Sequence, residues 1–165
     1  MHKTIQLKLF DVIVWAVSLL FAFGLLVGEA MAESKRIAAG SGAGNATWKA
    51  ECGSCHIAYP PALLPASSWR QLMAGLPRHF GTDASLDAAS AAEIGAFLER
   101  NAGGGRRGGE AAQRITATRW FQHKHDEVSA AAWRSPRVKS AANCGACHGG
   151  AERGDFDEHS VRIPR

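Results

Sequence analysis

Cys52-Gly53-Ser54-Cys55-His56 and Cys144-Gly145-Ala146-Cys147-His148 decide the reading of this 165-residue chain. Together they use all four of its cysteines, and a histidine follows each pair directly. Two cysteines at this spacing can form thioether bonds to the two vinyl-derived carbons of one haem. The next residue then lies beneath the iron, where an imidazole binds it axially. Cys-x-x-Cys-His is therefore the sequence form of covalent haem attachment, and two copies predict two haem c groups. Cys52, Cys55, Cys144 and Cys147 would hold them, with His56 and His148 as the first axial ligands.

Other uses of paired cysteines fit less well. Structural disulfides in an exported protein would not need the repeated histidine. A tetrahedral zinc site needs compact ligand spacing, and here residues 56–143 separate the pairs, 88 in all. A thioredoxin-like pair belongs to a βαβ pattern, and the sequence has no convincing strand runs.

Outward from the motifs, the chain reads as all-α, small, helical and loop-rich. Asn45 is placed to cap a short helix running into Cys52. Tyr59-Pro60-Pro61-Ala62-Leu63-Leu64-Pro65 cannot be a regular helix, because its prolines lack donors and clash with the preceding turn. Ser67 or Ser68 is expected to start a helix with Trp69, Leu72, Met73 and Leu76 on one stripe. Gly75 and Pro77 would close it. Residues 87–101 form the clearest amphipathic helix, with Ile94, Phe97 and Leu98 as its apolar face. Five glycines between Gly103 and Gly109 predict a flexible linker. Beyond it, residues 111–132 read as one helix carrying Trp120 and Phe121. Ser135-Pro136 fits another helix start, Ser140 a cap for the short helix that delivers Cys144, and the tail from Gly149 a polar, irregular run.

The expected organisation is residues 1–32 as an export signal, 33–102 and 111–165 as two haem-centred halves with c-type helical arrangements, and 103–110 as linker. Each half is small for an independent core, so the haem would complete it. In the signal, Lys3 and Lys8 precede an uncharged run from Val12 to Gly28, and Ala30-Met31-Ala32 fits cleavage after Ala32. An uncleaved anchor is the other reading. Both carry residues 33–165 across the membrane and predict a periplasmic location. The net charge of +4 comes without a basic stripe interleaved with aromatics, which argues against nucleic acid as a partner.

The ligand on the far side of each iron separates a closed electron carrier from an open, reactive site. Met73 is the only methionine after residue 32, and it lies on an apolar stripe where packing is the commoner role. His79 follows the Gly75–Pro77 break, 23 residues after His56, so the chain can fold back over the same haem. Residues two apart on a helix point to different sides. His125 shares a stripe with Phe121, Val128 and Ala132, whereas His123 lies with Trp120 and Glu127, so His125 is the preferred ligand. His159 reads as solvent-exposed. Spacing leaves two pairings open, either His56 with His79 and His148 with His125, or the crossed arrangement.

Several stretches resemble the bacterial dihaem cytochrome c (DHC) family. They are Glu51 to Pro65, Met73 to Gly81, Asp83 to Leu86, Thr118 to Phe121, Lys124-His125, Ala142 to His148, Gly154 to Glu158 and Val161 to Pro164. The resemblance covers nearly all of residues 45–165. It implies a periplasmic, low-potential electron carrier with two bis-histidine irons and no bond-making activity. It also implies redox partners: a small monohaem cytochrome c that binds oxygen, and a membrane b-type cytochrome. The rival expectation is a haem enzyme or gas-binding protein with one open iron, peroxidase-like. A cytochrome subunit of a larger oxidoreductase is a third.

Overall fold

Asn45 begins the first described element as the sequence predicts. Its backbone is extended and its side chain accepts the Trp48 amide, which satisfies one orphan donor of the first turn. Helix α1 then runs Ala46–Gly53. The computed structural model describes residues 45–104 and 112–164. The expected export signal with its cleavage site, and most of the expected glycine-rich linker, lie outside the described residues.

The proline segment makes a single 3-10 turn, Pro61–Leu63, and buries Leu63 and Leu64. Helix α2 is Ala66–Ala74. It starts just before the expected serines, because Pro65 is extended and the amides of Ser68 and Trp69 both turn back to its carbonyl. Leu76 lies outside α2, in a separate turn Leu76–Arg78, since Pro77 cannot continue the helix. Helix α3, Ala88–Arg100, matches the sequence reading, with Asp87 accepting from the amides of Ala89 and Ser90.

These three helices and the proline segment surround one apolar cluster. Trp48, Leu64, Trp69, Leu72, Ile94, Phe97 and Leu98 are buried in it. Trp48 and Phe97 meet with ring centroids 5.1 Å apart. Trp69 donates its indole N–H to the Pro61 carbonyl at 2.7 Å, which locks the proline segment onto α2. Met73 packs against the edge of this cluster. A Cβ at Gly103 would run into the Ala62 carbonyl oxygen. Gly103 is therefore a close-approach glycine, and its amide bonds Leu64.

The second half departs most from expectation. The single helix predicted over residues 111–132 is a 3-10 turn Ile115–Ala117, helix α4 Arg119–Lys124 and helix α5 Ala130–Arg134. Thr118 is extended and buried, and its Oγ accepts the Phe121 amide, so a new helix starts there. At the far end the imidazole of His125 bonds the Phe121 carbonyl, the acceptor the next helical amide would use. The chain leaves the helix at that point, and Val128 and Ala132 do not share a stripe with His125. Ser135-Pro136 opens only a turn, because the amides of Val138 and Lys139 both bond the Ser135 carbonyl and Lys139 takes φ +63°. Ser140 caps a turn as well, and Cys144 lies in a 3-10 turn, Cys144–Ala146. The tail is tied down by turns at Ala151–Arg153 and Glu158–Ser160 and by the Arg162 amide on the Cys147 carbonyl, 2.9 Å.

Helices and turns make up the secondary structure among the described residues, without a strand, so the fold is all-α. No described helix is long and apolar enough to cross a membrane. The described residues of both halves belong to one compact unit.

Candidate functional site

The first site begins at the C-terminus of α1. Cys52 is on the helix itself, half-buried against the core, and Ser54 ends the helix by bonding the Glu51 carbonyl. Cys55 and His56 follow in the exposed turn. His56 Nδ1 lies 2.7 Å from the Ile57 carbonyl. A carbonyl only accepts, so Nδ1 carries the proton and Nε2 keeps a free lone pair, the form a metal binds.

His79 is brought to this site by the turn Leu76–Arg78. Its amide closes that turn on Leu76, and its carbonyl accepts from Thr82. Phe80 and Gly81 between them both have positive φ, +50° and +99°. Glycine takes this conformation freely, whereas phenylalanine is strained in it. The result is a tight reversal that faces the His79 ring toward His56, with centroids 6.4 Å apart and planes 28° apart. Burial, with His56 and Arg114 nearby, lowers the His79 pKa, so its ring stays neutral and able to ligate near neutral pH. Arg114, from the second half, lies over the Phe80 ring at 3.9 Å.

The second site repeats the plan with different parts. His148 leaves the Cys144–Ala146 turn with its amide bonded to the Cys144 carbonyl at 2.8 Å. His125 stands opposite, with centroids 6.1 Å apart and planes 72° apart. His125 Nδ1 donates to the Phe121 carbonyl at 2.8 Å, which again leaves Nε2 free. Phe121 stacks on His125 at 4.0 Å, Trp133 lies 5.9 Å from it, and Phe156 lies 5.4 Å from His148. The His148 pKa is lowered by burial and by His125, against an opposing pull from Asp155. Its buried Nδ1 has no hydrogen-bond partner among the described residues.

Two imidazoles that share one metal from opposite sides, each through a nitrogen at about 2 Å, bring their ring centres to about 6 Å apart. Both observed spacings match that value. All four cysteine thiols are free. Burial, helped by Glu51, pushes Cys52 up to about 11, and burial pushes Cys144 to about 11. A raised value favours the neutral thiol at Cys52 and Cys144, so neither is set up as an activated nucleophile. The residues present thus fit two covalently attached haem groups, each between a pair of histidines.

The remaining histidines stand apart. His123 is exposed and pairs with Asp126 at 3.6 Å, and His159 is exposed in the turn that Asp157 caps. Sequence reasoning missed Tyr59, Arg114, Trp133 and Phe156. Only Tyr59, three residues after His56 of the first Cys-x-x-Cys-His motif, carried a local signal. It stacks on His56 at 4.7 Å, and its hydroxyl donates to the Ala142 carbonyl at 2.7 Å. Burial, with Cys144 nearby, pushes its pKa up to about 12.

Comparison with known proteins gives a consistent result. The dihaem cytochrome c family pattern matches residues 48–156. A dihaem cytochrome c from Rhodobacter sphaeroides is 48% identical, with a TM-score of 0.63, over 69% of this chain and 98% of its own. A dihaem cytochrome type c from Shewanella baltica OS155 is 45% identical, with a TM-score of 0.66, over 73% of this chain and 93% of its own. No curated protein matches the chain.

Proposed function

Because the chain belongs to the dihaem cytochrome c family, we propose that it is an exported, periplasmic electron carrier of low potential, not an enzyme. The observation that carries this reading is the pair of facing imidazoles at each site, His56 with His79 and His148 with His125. An iron held on both sides by histidine has no open position for oxygen, peroxide or substrate. The two haem c groups supply one-electron redox chemistry when bound.

The protein's part is to hold and tune. His56 and His125 each donate Nδ1–H to a backbone carbonyl, which fixes the ring and makes the ligating nitrogen a better donor. Better donation favours the oxidised iron and so a low potential. Methionine ligation would raise the potential, and Met73 is taken up in packing on the first core. The resemblance to the family suggests a membrane b-type cytochrome as donor and a small oxygen-binding monohaem cytochrome c as acceptor.

Absorption spectra of the oxidised and reduced protein, with and without carbon monoxide, test the reading. Low-spin bands that ignore carbon monoxide are expected. A high-spin component that shifts with the gas would overturn it in favour of an open, ligand-binding or catalytic iron.

A further inference from the structure

Tyr59 lies where the two sites meet. Its ring is stacked on His56, with centroids 4.7 Å apart and planes 24° apart. Its hydroxyl reaches across 83 residues of sequence to the Ala142 carbonyl at 2.7 Å. Ala142 is two residues before Cys144, whose sulfur lies 3.7 Å from the same carbonyl oxygen. Tyr59 is also partly buried against the first core. One side chain therefore touches the histidine of the first motif and the backbone that carries the first cysteine of the second.

We propose that Tyr59 is a positioning residue for electron transfer between the two sites, holding the second cysteine motif at a fixed distance from His56. The inference rests on the electron-carrier reading. In the step concerned, one electron leaves the ferrous iron of one site, which becomes ferric. It arrives at the ferric iron of the other, which becomes ferrous. No bond breaks and no proton moves, and Tyr59 remains a neutral phenol throughout. Tunnelling falls off exponentially with the gap, so a contact that fixes the gap sets the rate without touching the chemistry of either iron.

The test is the rate at which one electron, delivered by rapid photoreduction, equilibrates between the two haems of the intact protein. Tyr59→Phe keeps the ring and removes only the hydroxyl. Its rate should fall measurably, by up to about fivefold, the factor by which losing one hydrogen bond of about 1 kcal/mol changes the ratio of the held to the released arrangement. Tyr59→Leu, which also removes the ring, should fall further. In Tyr59→Phe, which keeps the ring stacked on His56, the low-spin spectra and the separate potentials should stay as in the wild type, which a general loosening of the fold would not allow. An unchanged rate in Tyr59→Phe with an intact spectrum overturns the proposal, whether or not Tyr59→Leu folds. Failure of the wild type to take up two electrons from dithionite is a different result, and would sink the electron-carrier reading instead.

Discussion

His125 and His123 differ by two positions in sequence and completely in setting. His125 is half-buried between Phe121 and Trp133 and faces His148, while His123 points to solvent beside Asp126. We expect His79→Ala and His125→Ala each to convert one iron to a high-spin form that binds carbon monoxide. His123→Ala should leave the spectrum untouched, and a high-spin His123→Ala protein would reverse the assignment. Arg114 offers a subtler test. Its guanidinium lies over Phe80, whose ring is 4.8 Å from His79. A nearby positive charge disfavours the oxidised, more positive iron. Arg114→Ala should therefore lower the potential of the first site by some tens of millivolts, about 59 mV being a tenfold change for one electron. Spectroelectrochemical titration reads this directly, and an unmoved potential would mean that solvent screens the charge.

Among the elements, α3 was fully legible and the helices of the second half were not. Residues 87–101 carry a cap at Asp87, an apolar face and an end at Asn101, all local signals that agree. In the second half the stops are made by side chains acting on the backbone. Thr118 Oγ captures the Phe121 amide, and the His125 imidazole captures the Phe121 carbonyl. Apolar spacing cannot reveal either event. The α3 cap also has a pH signature. Hydrogen bonds from Ser90 and Ala89 hold the Asp87 carboxyl below its ordinary value of 3.8, so the fold favours the ionised form. Its contribution is complete above pH 3.8 and is lost as pH falls through the lower folded value. Thermal melts followed by circular dichroism should show this acid loss in the wild type. Asp87→Asn, still a good cap, should show less of it, and identical acid profiles would count against the assignment.

At the scale of the molecule the two halves are unequal. The first has its own cluster of seven buried side chains, Trp48 to Leu98. In the second, Phe121, Val138 and Ala151 are the buried apolar side chains among the described residues, joined by Thr118, and such a set is too small to support a fold alone. The double variant Cys144→Ser/Cys147→Ser should therefore lose amide hydrogen-exchange protection in residues 112–164 while α1 to α3 keep theirs. Uniform loss across both halves would show that the first core also depends on the second site. The sequence by itself determined the all-α class, the two attachment motifs and the family, because covalent haem attachment needs its residues adjacent in the chain. It narrowed the second axial ligands to His79 and to His125 over His123, but left their pairing open. Tertiary structure alone decided which rings face each other, that Tyr59 bonds Ala142, and that Arg114 reaches Phe80. These contacts join residues tens of positions apart, and only the packing of the folded chain sets such distances.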